Sequence, residues 1–226
     1  MFKTVLLFLL NSLFIMALEL PKSIESRVLS IGSGREITIS GNIPAGRTGV
    51  IIHDYGKSLK AITYRVTSKG GNRLSVDEYM ILKHDNIPNI KTTLKVGDRV
   101  VVGNLYDNIL LIAPNSRVYG KIVDSTPDRF WIHPDLYAHF YINSGADRVT
   151  IENIRQFATN NLIGLVAIVV KDGIKILDPI SGKYIDKIPL KIDVDEAHIP
   201  FYARVNSHFI EKSGVESYYK MVEEIR

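Results

Sequence analysis

Between Arg27 and Leu105 the apolar positions recur every second residue, in short runs broken by glycine. Val28-Leu29-Ser30-Ile31 and Glu36-Ile37-Thr38-Ile39 flank Gly32-Ser33-Gly34-Arg35, the pattern of a hairpin. Val50 and Ile52 alternate with Ile51 and His53; Ile62, Tyr64 and Val66 alternate with Ala61, Thr63, Arg65 and Thr67. Lys57 to Lys60 reads as an exposed hairpin tip, and Gly70-Gly71 as the turn leading to Leu74 and Val76. Val96-Gly97-Asp98 opens a further strand from Arg99 to Val102. Short strands with glycine-rich turns predict a small β-barrel or sandwich.

Beyond Asn108 the pattern changes. Ile109-Leu110-Leu111-Ile112-Ala113 is a continuous apolar run halted by Pro114-Asn115, as in a strand buried on both faces. Tyr119 to Asp124 fits a short helix or a loop. Phe130 to Phe140 holds the single tryptophan, Trp131, among large apolar neighbours. Each ring buried there removes roughly 150–250 Å² from water, which predicts a core block. Pro134 suits the first turn of a helix running to about Phe140. Thr150 is a predicted cap, with Ile151, Ile154, Phe157 and Ala158 on one helical face. Leu165 to Val170 is a second buried strand, returned by Lys171-Asp172-Gly173 along Ile174, Ile176 and Leu177, and again by Ser181-Gly182-Lys183 into Tyr184 to Ile188. Val194 to Tyr202 has no period. Ser213 and Glu216 have capping-box spacing ahead of an apolar stripe of Val215, Tyr218, Tyr219, Val222 and Ile225.

The expected fold is therefore α+β: an N-terminal small β-barrel or sandwich, then a small α/β layer domain with an antiparallel edge, then a C-terminal amphipathic helix. The expected boundaries are 1–17 for a signal peptide, 18–106 for the barrel-like domain, 107–190 for the α/β domain and 191–226 for the C-terminal segment.

Composition narrows the function. Lys3 precedes an apolar run from Thr4 to Met16, too short for a span of about 20 residues but suited to a secretory segment cleaved after Ala17. No later run is long enough to cross a bilayer, so no membrane span is expected after removal of the signal. The chain has no cysteine, which removes thiol catalysis and sulfur-ligated metals. A net charge of +4 without basic clusters among stacking aromatics argues against nucleic acid. His53-Asp54, His84-Asp85, His133 and His139 form no metal-binding spacing, and Gly32-Ser33-Gly34 is followed by no Gly-Lys-Ser/Thr. His133-Pro134-Asp135 matches the tripeptide of J-domain co-chaperones, but its flanks point to a turn leading into a helix, with His133 and Asp135 serving its free N–H groups. No Gly-x-Ser-x-Gly elbow is present. The expectation is a binding protein, not an enzyme, with no metal and no cofactor.

Leu111-Ile112-Ala113-Pro114-Asn115 and Trp131-Ile132-His133-Pro134-Asp135-Leu136 resemble the N-terminal domain of the plasminogen-binding proteins PgbA and PgbB of Helicobacter and Campylobacter. Gly49 to Asp54, Val96-Gly97-Asp98 and Asn161 to Leu165 are similar to the same family. The resemblance implies non-catalytic capture of host plasminogen at the cell surface, through the lysine-binding pockets of its kringles. Such a pocket takes an ammonium and a carboxylate a lysine-length apart. Lys220 and Glu224, four apart on the last helix, offer that pair, and Arg226 adds a second cation. The rival expectation is a structural protein of the periplasm or outer membrane that docks on another envelope component. N-terminal sequencing of envelope material should begin at or near Leu18; an intact Met1 there would overturn the secretory assignment.

Overall fold

The computed structural model describes residues 18–79, 92–103, 105–205 and 208–226. The apolar stretch 1–17, the pair His84-Asp85 and the rest of 80–91 lie outside them. Five strands build the first part: β1 (Ile24–Gly32), β2 (Glu36–Ile43), β3 (Thr48–Asp54), β4 (Lys60–Glu78) and β5 (Arg99–Val102). They pair antiparallel in the order β1-β2-β4-β3-β5, and β5 pairs back on β1 to close the sheet. Alternate residues fill the inside: Val28, Ile37, Ile39, Ile43, Ile51, Val66, Leu74, Val76, Val100 and Val102 form one buried cluster.

The expected turn at Gly70-Gly71 is instead a corner within one strand. β4 runs unbroken for 19 residues, pairing β3 with its first half and β2 with its second. Both glycines have positive φ, 94° and 68°, which bends the strand so that it serves two sides of the closed sheet.

The second part is a five-stranded sheet in the order β10-β9-β8-β6-β7, built from β6 (Asn108–Ile112), β7 (Phe130–Ile132), β8 (Ile163–Val170), β9 (Gly173–Asp178) and β10 (Lys183–Pro189). β7 and β8 lie parallel to β6 on either side of it; β9 and β10 form the antiparallel edge. β7 has only three residues, too few for a period to mark it in the sequence. Helix α1 (Ser116–Asp124) covers one face; α2 (Pro134–Asn143), α3 (Ile151–Asn160) and α4 (Val215–Glu223) belong to the other. The continuous apolar runs follow from this sandwiching. Ile109, Leu111, Leu165, Ala167 and Val169 point to the α1 side, while Leu110, Ile112, Val166 and Ile168 point to the other.

Capping follows the sequence in two places and departs from it in a third. Thr150 caps α3 in a reciprocal box with Asn153, and His133 caps α2 with Pro134 in its first turn. At α4 the cap is Gly214, with no side-chain bond; Ser213 belongs to the short strand β12 (Glu211–Ser213), which pairs with β11 (Ala197–Ile199). Glu216, freed from the expected box, pairs with Lys171 at 3.2 Å. The aromatic block also departs from expectation. Phe130 is 68% exposed and Leu136 is exposed, whereas Tyr137, Ala138 and Tyr141 fill the core. Trp131 is half-buried beside the α1-side cluster, with its indole N–H donating to Thr126 Oγ1 at 3.1 Å. β7 is the sheet's edge, and an edge leaves part of each side chain in water.

The two sheets are tied by Asp178. Its Oδ2 accepts from the Thr48 N–H (2.8 Å) and Thr48 Oγ1 (2.7 Å), and its Oδ1 from the N–H groups of Ile180 (3.1 Å) and Ser181 (3.0 Å). Burial raises the Asp178 pKa above the usual carboxylate value, and the four donations offset that rise only in part. Beside it the buried Arg47 donates Nη2 to the Lys22 carbonyl at 2.6 Å. Leu18 and Leu20 pack on the α1 side of the second sheet before the chain enters the barrel. Asp178→Ala leaves these four donors without acceptors and should cost about 3–5 kcal/mol in urea unfolding. Asp178→Asn, which keeps one acceptor oxygen, should cost less; equal losses for the two would discount the donor account.

Candidate functional site

The pair expected to meet a ligand lies at the end of α4. Tyr218, Tyr219, Val222 and Ile225 are buried, so the opposite positions must face out, and Glu216, Lys220, Glu223, Glu224 and Arg226 are all exposed. Lys220 lies in the last turn of the helix, where a cation complements the partial negative charge of the free carbonyls. Glu224 is the C-cap, one residue past the helix, with its N–H on the Met221 carbonyl at 3.1 Å. No ion pair links Lys220, Glu224 or Arg226 to any group among the described residues. The backbone there is held firmly: the Ile225 carbonyl accepts from Tyr184 Oη at 3.2 Å and the Arg226 carbonyl from the Ile151 N–H at 3.3 Å. The charged side chains thus stand free on a fixed base. Lys57 and Lys60, at the β3–β4 turn, are exposed as well.

A second constellation sits where a parallel sheet would place a ligand, outside the carboxyl ends of β6 and β7, where the chain reverses its direction of travel across the sheet. Asn115 caps α1, accepting from Val118 N–H at 2.9 Å, and His133 caps α2, its Nδ1 accepting from Asp135 N–H at 3.1 Å. The chain covers this crevice with its own segment. His198 N–H bonds Pro114 O at 2.7 Å, Tyr202 N–H bonds Ala113 O at 2.8 Å, and Asn115 Nδ2 bonds Glu196 O at 2.7 Å. Tyr119, His133 and Tyr202 close over it with ring centroids 5.3 to 6.5 Å apart. Asp135, expected to serve the helix N-terminus, instead accepts from Arg204 through the backbone N–H (2.7 Å) and Nε (2.8 Å). Burial raises the Asp135 pKa, but the Arg204 bonds and the neighbouring His133 outweigh it and leave it lowered. Burial lowers that of His133 and keeps its ring neutral at pH 7. With every charge and cap committed, the arrangement works as a tether. Sequence spacing misses it because Arg204 is distant in the chain and lies in an aperiodic stretch.

The residues that match family patterns converge on these structures. His53 pairs not with its neighbour Asp54 but with Asp98, Nδ1 to Oδ1 at 2.7 Å, both side chains being buried. This joins the Gly49–Asp54 and Val96–Asp98 stretches across β3 and β5. Leu111 to Asn115 and Trp131 to Leu136 supply the caps of α1 and α2. In Asn161 to Leu165, Gly164 passes so close to β6's approach that a Cβ would fall 1.9 Å from the Tyr106 carbonyl oxygen. A family model described as the plasminogen-binding protein pgbA N-terminal region matches residues 23–222, most of the chain. The chain belongs to this family. Two relatives, both named plasminogen-binding protein PgbA, from Helicobacter pylori strains J99 and 26695, are 29% and 28% identical over 125 residues. Each alignment covers 55% of this chain and 27% of the relative, so the chain spans about a quarter of the length of the proteins it matches. No solved structure matches the chain.

The crevice tether of this chain depends on the Asp135 carboxylate. A depressed carboxylate pKa contributes stability above the unfolded value of about 3.9 and loses it as pH falls through the folded value. Amides of residues 196–204 should therefore exchange faster in Asp135→Ala than in the parent at neutral pH. The difference should shrink as the pH falls below about 4; a difference independent of pH would discount the carboxylate.

Proposed function

We propose that this chain is an exported, non-catalytic module that captures plasminogen, with Lys220, Glu224 and Arg226 supplying the contact. The reading rests on the family match across residues 23–222. It is supported locally by the exposed Lys220 on the last turn of α4 and the exposed Glu224 at its C-cap, an ammonium and a carboxylate free to enter one lysine pocket, with Arg226 beside them. The rigid seating of Ile225 means that little backbone order would be lost on binding.

Immobilised plasminogen should retain the full chain, and a free lysine analogue should release it. Lys220→Ala with Arg226→Ala should remove retention and change stability by no more than about 0.5 kcal/mol, since both side chains are exposed. Substitution is the cleaner test than deletion, because the Arg226 carbonyl bonds to α3. Lysine-sensitive binding that survives the double substitution would move the contact to Lys57 and Lys60. No retention by the parent would favour a structural role in the envelope.

A further inference from the structure

The barrel has two unlike ends. Gly49 of β3, Val102 of β5 and Ile24 of β1 are paired neighbours, and at this end Thr48 and Arg47 dock the barrel on the second sheet. At the other end Ile52 and Arg27 both pair with Arg99, so three connections project together: the β3–β4 turn, the loop before β5 and the β1–β2 hairpin. All three carry apolar side chains in water. Leu59 is 63% exposed, Val96 64% and Leu29 54%, with Tyr55 and Ile31 also exposed. They are interleaved with exposed Arg27, Arg35, Lys57, Lys60 and Lys95.

Local geometry holds this display in place. Lys57 and Ser58 both adopt left-handed backbone, φ 50° and 67°, which side chains other than glycine resist. The conformation is fixed by Tyr55 N–H on Leu59 O and Leu59 N–H on Gly56 O, both 2.9 Å, and by Gly56 N–H on Asp54 Oδ1 at 2.8 Å. Its result is a leucine at the tip between two lysines. Among the described residues the carboxylates at this end are mostly engaged: Glu36 pairs with Lys69, Asp77 lies 3.9 Å from Arg65, Asp98 is buried against His53, and Asp54 faces Lys60 at 3.9 Å. Glu78 remains exposed.

We propose that this end of the barrel docks on an anionic lipid surface. Leu59, Val96 and Leu29 enter the boundary between headgroups and acyl chains, Tyr55 lies at headgroup level, and the lysines and arginines meet the lipid phosphates. Separate apolar side chains on two loops and on the outer part of β1, interleaved with cations, suit a soft charged interface better than the continuous groove a folded partner needs. The α4 surface carries the proposed plasminogen contact separately, so one module can hold a membrane and a ligand at once.

The test is flotation with vesicles of phosphatidylcholine alone and of phosphatidylcholine with phosphatidylglycerol, using the full chain and the chain from Leu18 in parallel. Residues 1–17 are apolar and would bind both vesicle types, so the readout is the part of binding that requires phosphatidylglycerol. That part should fall with added salt and drop about tenfold in Leu59→Asp and again in Lys57→Glu with Lys60→Glu, with unchanged thermal unfolding. It should be insensitive to a lysine analogue, which separates it from plasminogen capture. Equal binding to both vesicle types, or anionic binding untouched by these substitutions, overturns the proposal. So does self-association in sedimentation that Leu59→Asp abolishes, which would assign the surface to a second copy of the chain.

Discussion

Asp178 ends strand β9 inside the molecule, and its carboxylate is shared between the turn that follows it and Thr48 of the barrel. Taking a carboxylate out of water costs several kcal/mol, which only good geometry and several donors can offset. Here four donors converge, two from each side, so the charge is tolerable only when both sheets are in position. The same residue therefore shapes its own turn and orients a barrel built from sequence 130 positions away. On the barrel side, burial of the Arg47 guanidinium lowers its pKa, and the field of Asp178 and Asp186 only partly offsets that cost.

Around that tie the second sheet is insulated on both faces. Its central strands β6 and β8 carry no polar side that could face water, so the helices on either side of them are a requirement of the sequence, while the edge strand β10 is largely exposed. Tyr218 shows how α4 is held there: fully buried, it donates to the carbonyls of Ile112 (3.2 Å) and Val169 (3.1 Å), at the ends of two neighbouring strands. A buried hydroxyl without such acceptors would cost about 1–3 kcal/mol. The helix is thus placed in one rotation, and that rotation decides which residues reach solvent. Lys220 and Glu224 are presented because Tyr218, Tyr219 and Val222 are not free to be.

Both contacts proposed for this architecture lie at surfaces. The crevice that parallel sheets commonly give to ligands is filled by residues 196–204, held by the carbonyls of Ala113 and Pro114, by the Asn115 amide on the Glu196 carbonyl and by the Asp135–Arg204 pair. Among the described residues, exposed charged or apolar side chains stand at the end of α4 and at the free rim of the barrel. Both are proposed as points of attachment, the α4 contact resting on the family match across residues 23–222.

Much of this was legible along the chain. Alternation marked the barrel strands, continuous apolar runs marked β6 and β8, and Thr150, Pro134 and Lys171-Asp172-Gly173 marked helix starts and a turn, because each is decided by backbone geometry within a few residues. The candidate residues Lys220, Glu224 and Arg226 were likewise placed outward by the helical stripe. The sequence by itself could not show that Gly70-Gly71 is a corner in one long strand, since a turn and a bend need the same positive φ. Nor could it pair His53 with Asp98, Asp135 with Arg204, or Asp178 with Thr48. Those partners lie 45, 69 and 130 positions apart, and only closure of the barrel and docking of the two sheets bring them within hydrogen-bond reach.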